Sequence, residues 1–201
     1  MLDWAEAPIA MKHRLSRRQY LAATGFVTAG SIGMAGCSGG STGTLATQVS
    51  DQPRDISDFS ECVVTIVGMW LGPEAATPGT QTGDEPSGRE YYEYDSPQQA
   101  DLVDLQGDAA ALVDERELDT ATYDFLQLDI DGIDAVLDDG SDATVEVPGA
   151  APLTFNKSFE IRANTRTVFT ADFTPVKRGQ AGGYILQPVP SELQVEYEDS
   201  G

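Results

Sequence analysis

From Cys37 onward the chain consists of short apolar or alternating stretches, each closed by Gly, Pro, Asp or Ser. None repeats its apolar residues at the spacing of a long amphipathic helix, so the pattern predicts strands. Leu45, Ala46, Thr47 and Val49 form a first strand that ends at Asp51-Gln52-Pro53. Cys62 to Leu71 (CVVTIVGMWL) is apolar at odd and even positions alike and reads as a central strand covered on both faces. Gly72 to Gly88, rich in Pro, Gly and Thr, reads as a loop. Arg89 to Tyr94 and Asp101 to Leu105 read as strands, and Asp108 to Leu118 as the place of a short helical turn. Tyr123 to Ile130 alternates, with Leu126, Leu128 and Ile130 on one face and Gln127, Asp129 and Asp131 on the other. Asp138-Asp139-Gly140-Ser141 is a hairpin turn between Ile133–Leu137 and Thr144–Val147, with Gly140 suited to a positive φ. Further strands fall at Leu153–Ile161, Thr167–Thr174, Tyr184–Gln187 and Leu193–Tyr197. About eight or nine short strands at this spacing predict an all-β fold. The expected form is an antiparallel β-sandwich, immunoglobulin-like or transthyretin-like, over residues 44–198 with a tail at 199–201.

Charge narrows the picture. From Cys37 on there are 8 basic residues against 31 acidic ones, a balance of −23, and only two of the basic residues are lysines, Lys157 and Lys177. Such a surface repels nucleic acid, which is excluded as a direct partner, and repels anionic head groups. The acids are interleaved with β-branched and aromatic residues rather than gathered in a block, so the composition describes a folded domain with a carboxylate-covered exterior. Acid-rich, lysine-poor exteriors of this kind resemble those of extreme halophiles.

The N-terminal segment has another logic. Lys12, Arg14, Arg17 and Arg18 precede 18 uncharged residues, Gln19 to Gly36, and then Cys37. Basic residues, an apolar run and small residues before a processing point are the order of an export signal. Ser16-Arg17-Arg18-Gln19-Tyr20-Leu21 resembles the twin-arginine motif, with Tyr20 where Phe is usual. Met34-Ala35-Gly36-Cys37 resembles a lipobox, with Met34 where Leu is commoner. That resemblance implies lipidation of Cys37 as the first mature residue and a flexible Gly/Ser/Thr tether over residues 37–43. The export signal is expected at residues 11–36, with Met11 as the true start and residues 1–10 upstream of it. The alternatives are an uncleaved membrane helix, for which 18 residues are marginally long enough, and a cleaved, fully secreted form.

Several motifs together resemble a known family. They are Val49-Ser50-Asp51-Gln52-Pro53, Asp101-Leu102-Val103-Asp104-Leu105, Tyr123-Asp124-Phe125-Leu126-Gln127-Leu128 and Val145-Glu146-Val147-Pro148, then Phe169-Thr170-Ala171-Asp172-Phe173 and Gly183-Tyr184-Ile185-Leu186-Gln187-Pro188. In this order they are similar to the prokaryotic lipoprotein family known as domain of unknown function 4382, in a halophilic archaeal form, over about Thr44 to Val189. The resemblance implies an exported β-sandwich, often set beside carboxypeptidase-regulatory-like modules. It implies no activity and assigns no functional residue.

Candidate chemistry is sparse. The single histidine, His13, lies within the signal, so the exported part has no imidazole base or ligand, and a Ser-His-Asp or Cys-His mechanism is excluded for this chain acting alone. Past Cys37 the remaining cysteine is Cys62, and its apolar neighbours predict a buried, inert thiol of raised pKa. Asp129, Asp131 and Asp134 hint at a cation loop, as do Asp138, Asp139 and Asp142. A calcium loop of the EF-hand type would place its Gly at position 6, whereas Gly132 stands at position 4, so a solvated strand face entering a turn is the plainer reading. Paired carboxylates arise by chance among so many acids and carry no weight for glycoside hydrolysis. Trp70, Tyr91, Tyr92 and Tyr94 are candidates for an aromatic sugar platform, set against a simple packing role. Asn156-Lys157-Ser158 is a glycosylation sequon.

The expectation is therefore a non-enzymatic module with no cofactor, extracytoplasmic and held to the cell membrane through lipid on Cys37. Its role would be structural, adhesive or ligand-recognising, with a protein or glycan partner at the cell surface. The alternatives are a solute- or cation-binding component of an envelope system and, behind it, an envelope hydrolase.

Overall fold

The computed structural model describes residues 41–51, 54–79, 88–148, 152–179 and 182–199. Arg17, Arg18, Cys37 and most of the expected tether lie outside them. Eleven strands appear among the described residues: β1 (Thr42–Ser50), β2 (Phe59–Pro73), β3 (Glu90–Asp101), β4 (Ala111–Asp119), β5 (Ala121–Leu137), β6 (Val145–Glu146), β7 (Leu153–Phe155), β8 (Phe159–Ile161), β9 (Thr165–Lys177), β10 (Tyr184–Pro188) and β11 (Gln194–Asp199). They form two sheets. One runs β4-β1-β9-β10-β6, with β11 also on β9, and the other runs β3-β2-β5-β7, with β8 also on β5. Among the described residues, short 3₁₀ turns lie between strands at Asp55–Asp58, Leu102–Leu105 and Pro190–Glu192. The protein is an all-β sandwich.

The sheets meet along a seam of aromatic side chains. Phe155 and Phe159 project from the second sheet, Phe169 and Phe173 from the first, and all four are fully buried. Their rings pair across the gap, Phe159 with Phe169 at 5.1 Å and Phe155 with Phe173 at 6.1 Å between centroids. Leu45, Ile66, Met69, Leu71, Leu126 and Leu128 complete the filling. Burying each of these side chains is worth about 1.5–3 kcal/mol relative to leaving it exposed, and the seam is where the domain gains most of its stability.

β2 shows how the strand pattern is made. Cys62, Val64 and Ile66 are buried, whereas Met69 and Leu71 are the buried residues further along, so the inward parity switches from even to odd. The switch coincides with a register break against β3 between Ile66 and Gly68. A bulge supplies the extra residue and returns the strand to the core on the opposite phase. A side chain at Gly68 would collide with the Tyr91 hydroxyl and the Tyr92 carbonyl, at 2.6 and 2.8 Å from its Cβ, so the bulge needs glycine. β2 is indeed central, between β3 and β5. Its outer positions Val63, Thr65 and Val67 are only half-buried, so the expectation of cover on both faces is corrected. The double-parity run reflects the phase change.

Four further expectations change. Leu102–Leu105 is a 3₁₀ turn rather than a strand. The Asp101 carboxylate accepts from the Val103 N–H at 3.1 Å and the Cys62 N–H at 3.0 Å, offering the backbone an alternative to the ladder. Residues 111–119 form a strand and not a helical turn, because β1 presents an open edge with which β4 pairs from Thr42↔Asp119 to Val49↔Ala111. Leu153–Ile161 divides into β7 and β8, which join β5 at Leu126–Leu128 and at Ala121–Tyr123. Two pairings are parallel, β1 with β9 and β10 with β6. The sandwich is thus mixed rather than wholly antiparallel, since partners so far apart in the chain are free of the hairpin constraint that enforces antiparallel neighbours.

Candidate functional site

The four aromatic candidates do not form one platform. Tyr91 sits directly opposite Trp70 in the β2–β3 ladder, and the two rings pack on the outer face at 4.5 Å. Alternation along β3 turns Tyr92 and Tyr94 the other way, toward the core, where Tyr94 is buried. The exposed face of Trp70 is occupied: the Arg89 guanidinium stacks on it at 3.9 Å while donating to the Gln127 Oε1 at 2.8 Å and the Gly79 carbonyl at 3.0 Å. The Tyr91 hydroxyl donates to Asp129 at 3.0 Å; burial and that carboxylate push its pKa up to about 12. The ring of Trp70 is thus covered by Arg89 and Tyr91, while its indole Nε1 is buried without a hydrogen-bond partner.

The aspartate candidates are dispersed. Asp129 is engaged by Tyr91, Asp131 and Asp134 are exposed on β5, and no three Asp, Glu, His or Cys side chains come together in a metal-holding group among the described residues. Asp138, Asp139 and Asp142 lie in and after the expected turn, which the structure retains with Gly140 at φ 80°. Asp139 accepts from the Ser141 hydroxyl at 2.5 Å and from its N–H at 2.9 Å, and those bonds hold its carboxyl below the usual range. The turn does not continue as a hairpin. After a bridge from Val136 to Asp142 the chain crosses to the other sheet, where β6 pairs β10.

Cys62 is fully buried, and desolvation pushes its thiol up to about 12, with Asp101 and Asp51 adding to the shift. Asn156 is exposed in the turn between β7 and β8.

Two features were not singled out in the sequence. One is a polar depression of about 310 Å³ on the outer face of the first sheet, lined by Gln48 and Ser50 of β1, Thr170 and Asp172 of β9, Gln194 and Glu196 of β11, and residues 107–110. Register explains it: Thr170 lies level with Gln48 on one side and Gln194 on the other, and Ser50 lies level with Asp172. Asp51, just past β1, has no exposed surface. Burial pushes its pKa up to about 7. The Thr174 hydroxyl, near enough to favour the ionised form, offsets part of this, and the neighbouring Asp172 adds to the rise. The period-two pattern offers no signal for this arrangement, because Asp51 and Asp172 lie far apart in the chain.

The second feature is at one end of the sandwich. A depression of about 470 Å³ is lined by Leu137, Asp142, Thr144, Glu146, Arg178 and Tyr184, among others, with Arg178 paired to Glu146 at 2.6 Å. Its neighbour, of about 270 Å³, shares Leu137 and Tyr184. There the Tyr184 hydroxyl donates to Asp58 at 2.7 Å and Lys177 pairs with the same carboxylate at 3.2 Å; together they lower the Asp58 pKa.

An all-β sandwich with polar surface depressions is a class of module rather than an activity. Residues 42–188 match the model of the family described as domain of unknown function (DUF4382), and the chain belongs to that family. No curated protein and no solved structure matches the chain.

Proposed function

We propose that the protein is an exported, lipid-anchored, non-catalytic sandwich module that serves a structural, adhesive or ligand-recognition role outside the cytoplasmic membrane, in the manner of a halophilic archaeal lipoprotein. The observation that carries this reading is the order along the chain. Arg17-Arg18 is followed by an uncharged run and then by Met34-Ala35-Gly36-Cys37, and β1 starts after only four intervening residues. That order suits a domain tethered close to a bilayer by lipid on Cys37. The missing histidine past His13 supports a non-catalytic role. The test is fractionation of cells expressing Cys37→Ser and, separately, Arg17→Lys with Arg18→Lys. The first variant should leave the membrane fraction or stall in processing, and the second should remain as cytoplasmic precursor. A processed, membrane-bound Cys37→Ser protein would refute the anchor, and normal export of the lysine variant would refute the twin-arginine route.

A second reading, the solute-binding component of an envelope system, draws support from the depression beside Tyr184. Its volume lies within the range of small-molecule sites, and it combines an aromatic ring with an ion pair.

A further inference from the structure

We propose that Asn156, in the turn between β7 and β8, is the attachment site of an N-linked glycan. The sequence supplies the recognition element: Asn156-Lys157-Ser158 has a hydroxyl two residues past the asparagine and no proline between them. The other asparagine of the chain, Asn164, is followed by Thr165 and Arg166 and lacks that hydroxyl. The structure adds the presentation of the element by a finished fold. Asn156, Lys157 and Ser158 are all exposed, whereas Phe155 and Phe159 on either side of them are fully buried in the aromatic seam. The three residues therefore stand on a base that packing holds in place. The Lys157 N–H donates to the Phe155 carbonyl at 3.1 Å. A bond of that span closes a three-residue turn with Asn156 as its central residue, so the acceptor side chain springs from the apex. The Ser158 hydroxyl donates to the Asp124 carboxylate at 3.3 Å, a long bond between two exposed residues that is given up at little cost when a transferase engages the hydroxyl.

The place also suits a bulky group. β7 and β8 both pair with β5 at the margin of the second sheet, so a glycan on the turn between them displaces no packed contact. It would shield a sheet edge, which is otherwise open to strand addition, and add solubility. The donor is an oligosaccharide carried on a polyprenyl phosphate or diphosphate. Asn156 Nδ2 forms a bond to the anomeric carbon and gives up one amide proton. The anomeric C–O bond breaks, and the lipid-linked phosphate leaves with its electron pair. The transfer takes place outside the cytoplasmic membrane, so this inference rests on the export reading above. A chain exported already folded is modified only where its folded surface presents an acceptor, and Asn156 meets that requirement.

The experiment is mass mapping of the full chain made in its native host, with cells separated into membrane and cytoplasmic fractions. Cleavage after glutamate releases residues 147–160 as one peptide, in which Asn156 is the only asparagine. The expected result is that this peptide, from the membrane fraction, carries the added mass of a saccharide and that fragmentation places it on Asn156. Asn156→Gln and Ser158→Ala should each abolish the addition, and Ser158→Thr should keep it. An exported chain whose peptide has only its sequence mass overturns the proposal without reference to any variant, and leaves the export reading standing. A chain confined to the cytoplasm overturns the export reading and this proposal with it. A saccharide that persists in Ser158→Ala, or that maps to the Thr154 or Ser158 hydroxyl, also overturns it, because the sequon is then not what directs the transfer.

Discussion

Phe169 and Asp172 stand three residues apart on β9, one wholly buried and the other almost so, but buried by different means. Phe169 faces inward, and its ring packs against Phe159 at a tilt of 60°. Asp172 faces the polar depression on the opposite side of the sheet, next to Asp51 and level with Ser50. The inner face contributes stability through apolar area alone. The contribution of the neighbouring Asp51 depends on its protonation, so the two faces of the sheet set a pH-independent element beside a pH-dependent one.

The largest expected effect tests the pH-independent half. Phe169→Ala should destabilise the domain by about 3–5 kcal/mol, the usual cost of emptying a buried aromatic site. The loss, read from denaturant midpoints, should be equal at pH 5 and pH 8. A loss that varied with pH would mean that the seam and the acid site are coupled.

The second expected effect tests the pH-dependent half. Asp51 has a folded pKa raised from 3.8 to about 7, so between those values the folded state holds a proton that the unfolded state has released. Stability from this group is therefore greatest below about pH 4, falls as pH rises to about 7 and is flat above. About 3 pH units at 1.36 kcal/mol each set an upper limit near 4 kcal/mol. Asp58 and Asp139, with lowered pKa values, act in the opposite sense and only below their unfolded value of 3.8, outside this window. Asp51→Asn should flatten the slope between pH 4 and 7 and raise the melting temperature at pH 8. An unchanged slope would show that Asp51 is ionised and compensated in the folded state.

The smallest expected effect concerns the surface shared by both regions. Raising KCl from about 0.1 to 1 M shortens the screening length from roughly 10 to 3 Å. With 31 acids against 8 bases past Cys37, the melting temperature should rise by several degrees, at roughly 2–4 °C per kcal/mol for a domain of this size. Phe169→Ala should show the same increment as the unmodified chain. A melting temperature indifferent to salt would show that the surface acids are spaced without net repulsion.

Legibility followed the range of the interactions. The common inward face of Leu126 and Leu128, the Gly140 turn and the burial of Cys62 were readable because each depends on neighbours within a few residues, although Phe125 to Leu128 are all buried and the alternation does not hold throughout. The exchanged assignments at 101–105 and 108–118 were not, since a side-chain cap on Asp101 and a vacant edge on β1 decided them. Trp70 and Tyr91 were grouped in the sequence with Tyr92 and Tyr94; that these two alone share the outer face, and that the guanidinium of Arg89 covers the indole, depended on strand register. The candidate acids on β5 were conspicuous because they cluster in sequence, whereas the acids that share a buried site do not.

By itself, the sequence determined the all-β class, most strand positions and the strongly acidic exterior, because period-two patterning and turn chemistry act locally and net charge needs no fold. Tertiary structure decided which edges pair, that β9 runs parallel to β1, and that Asp51 and Asp172 come together beside one depression. Those outcomes follow from closing long loops, from Val49 to Ala111 between β1 and β4 and from Ser50 to Asp172 between β1 and β9. Such closure is governed by the packing of whole sheets and leaves no periodic trace along the chain.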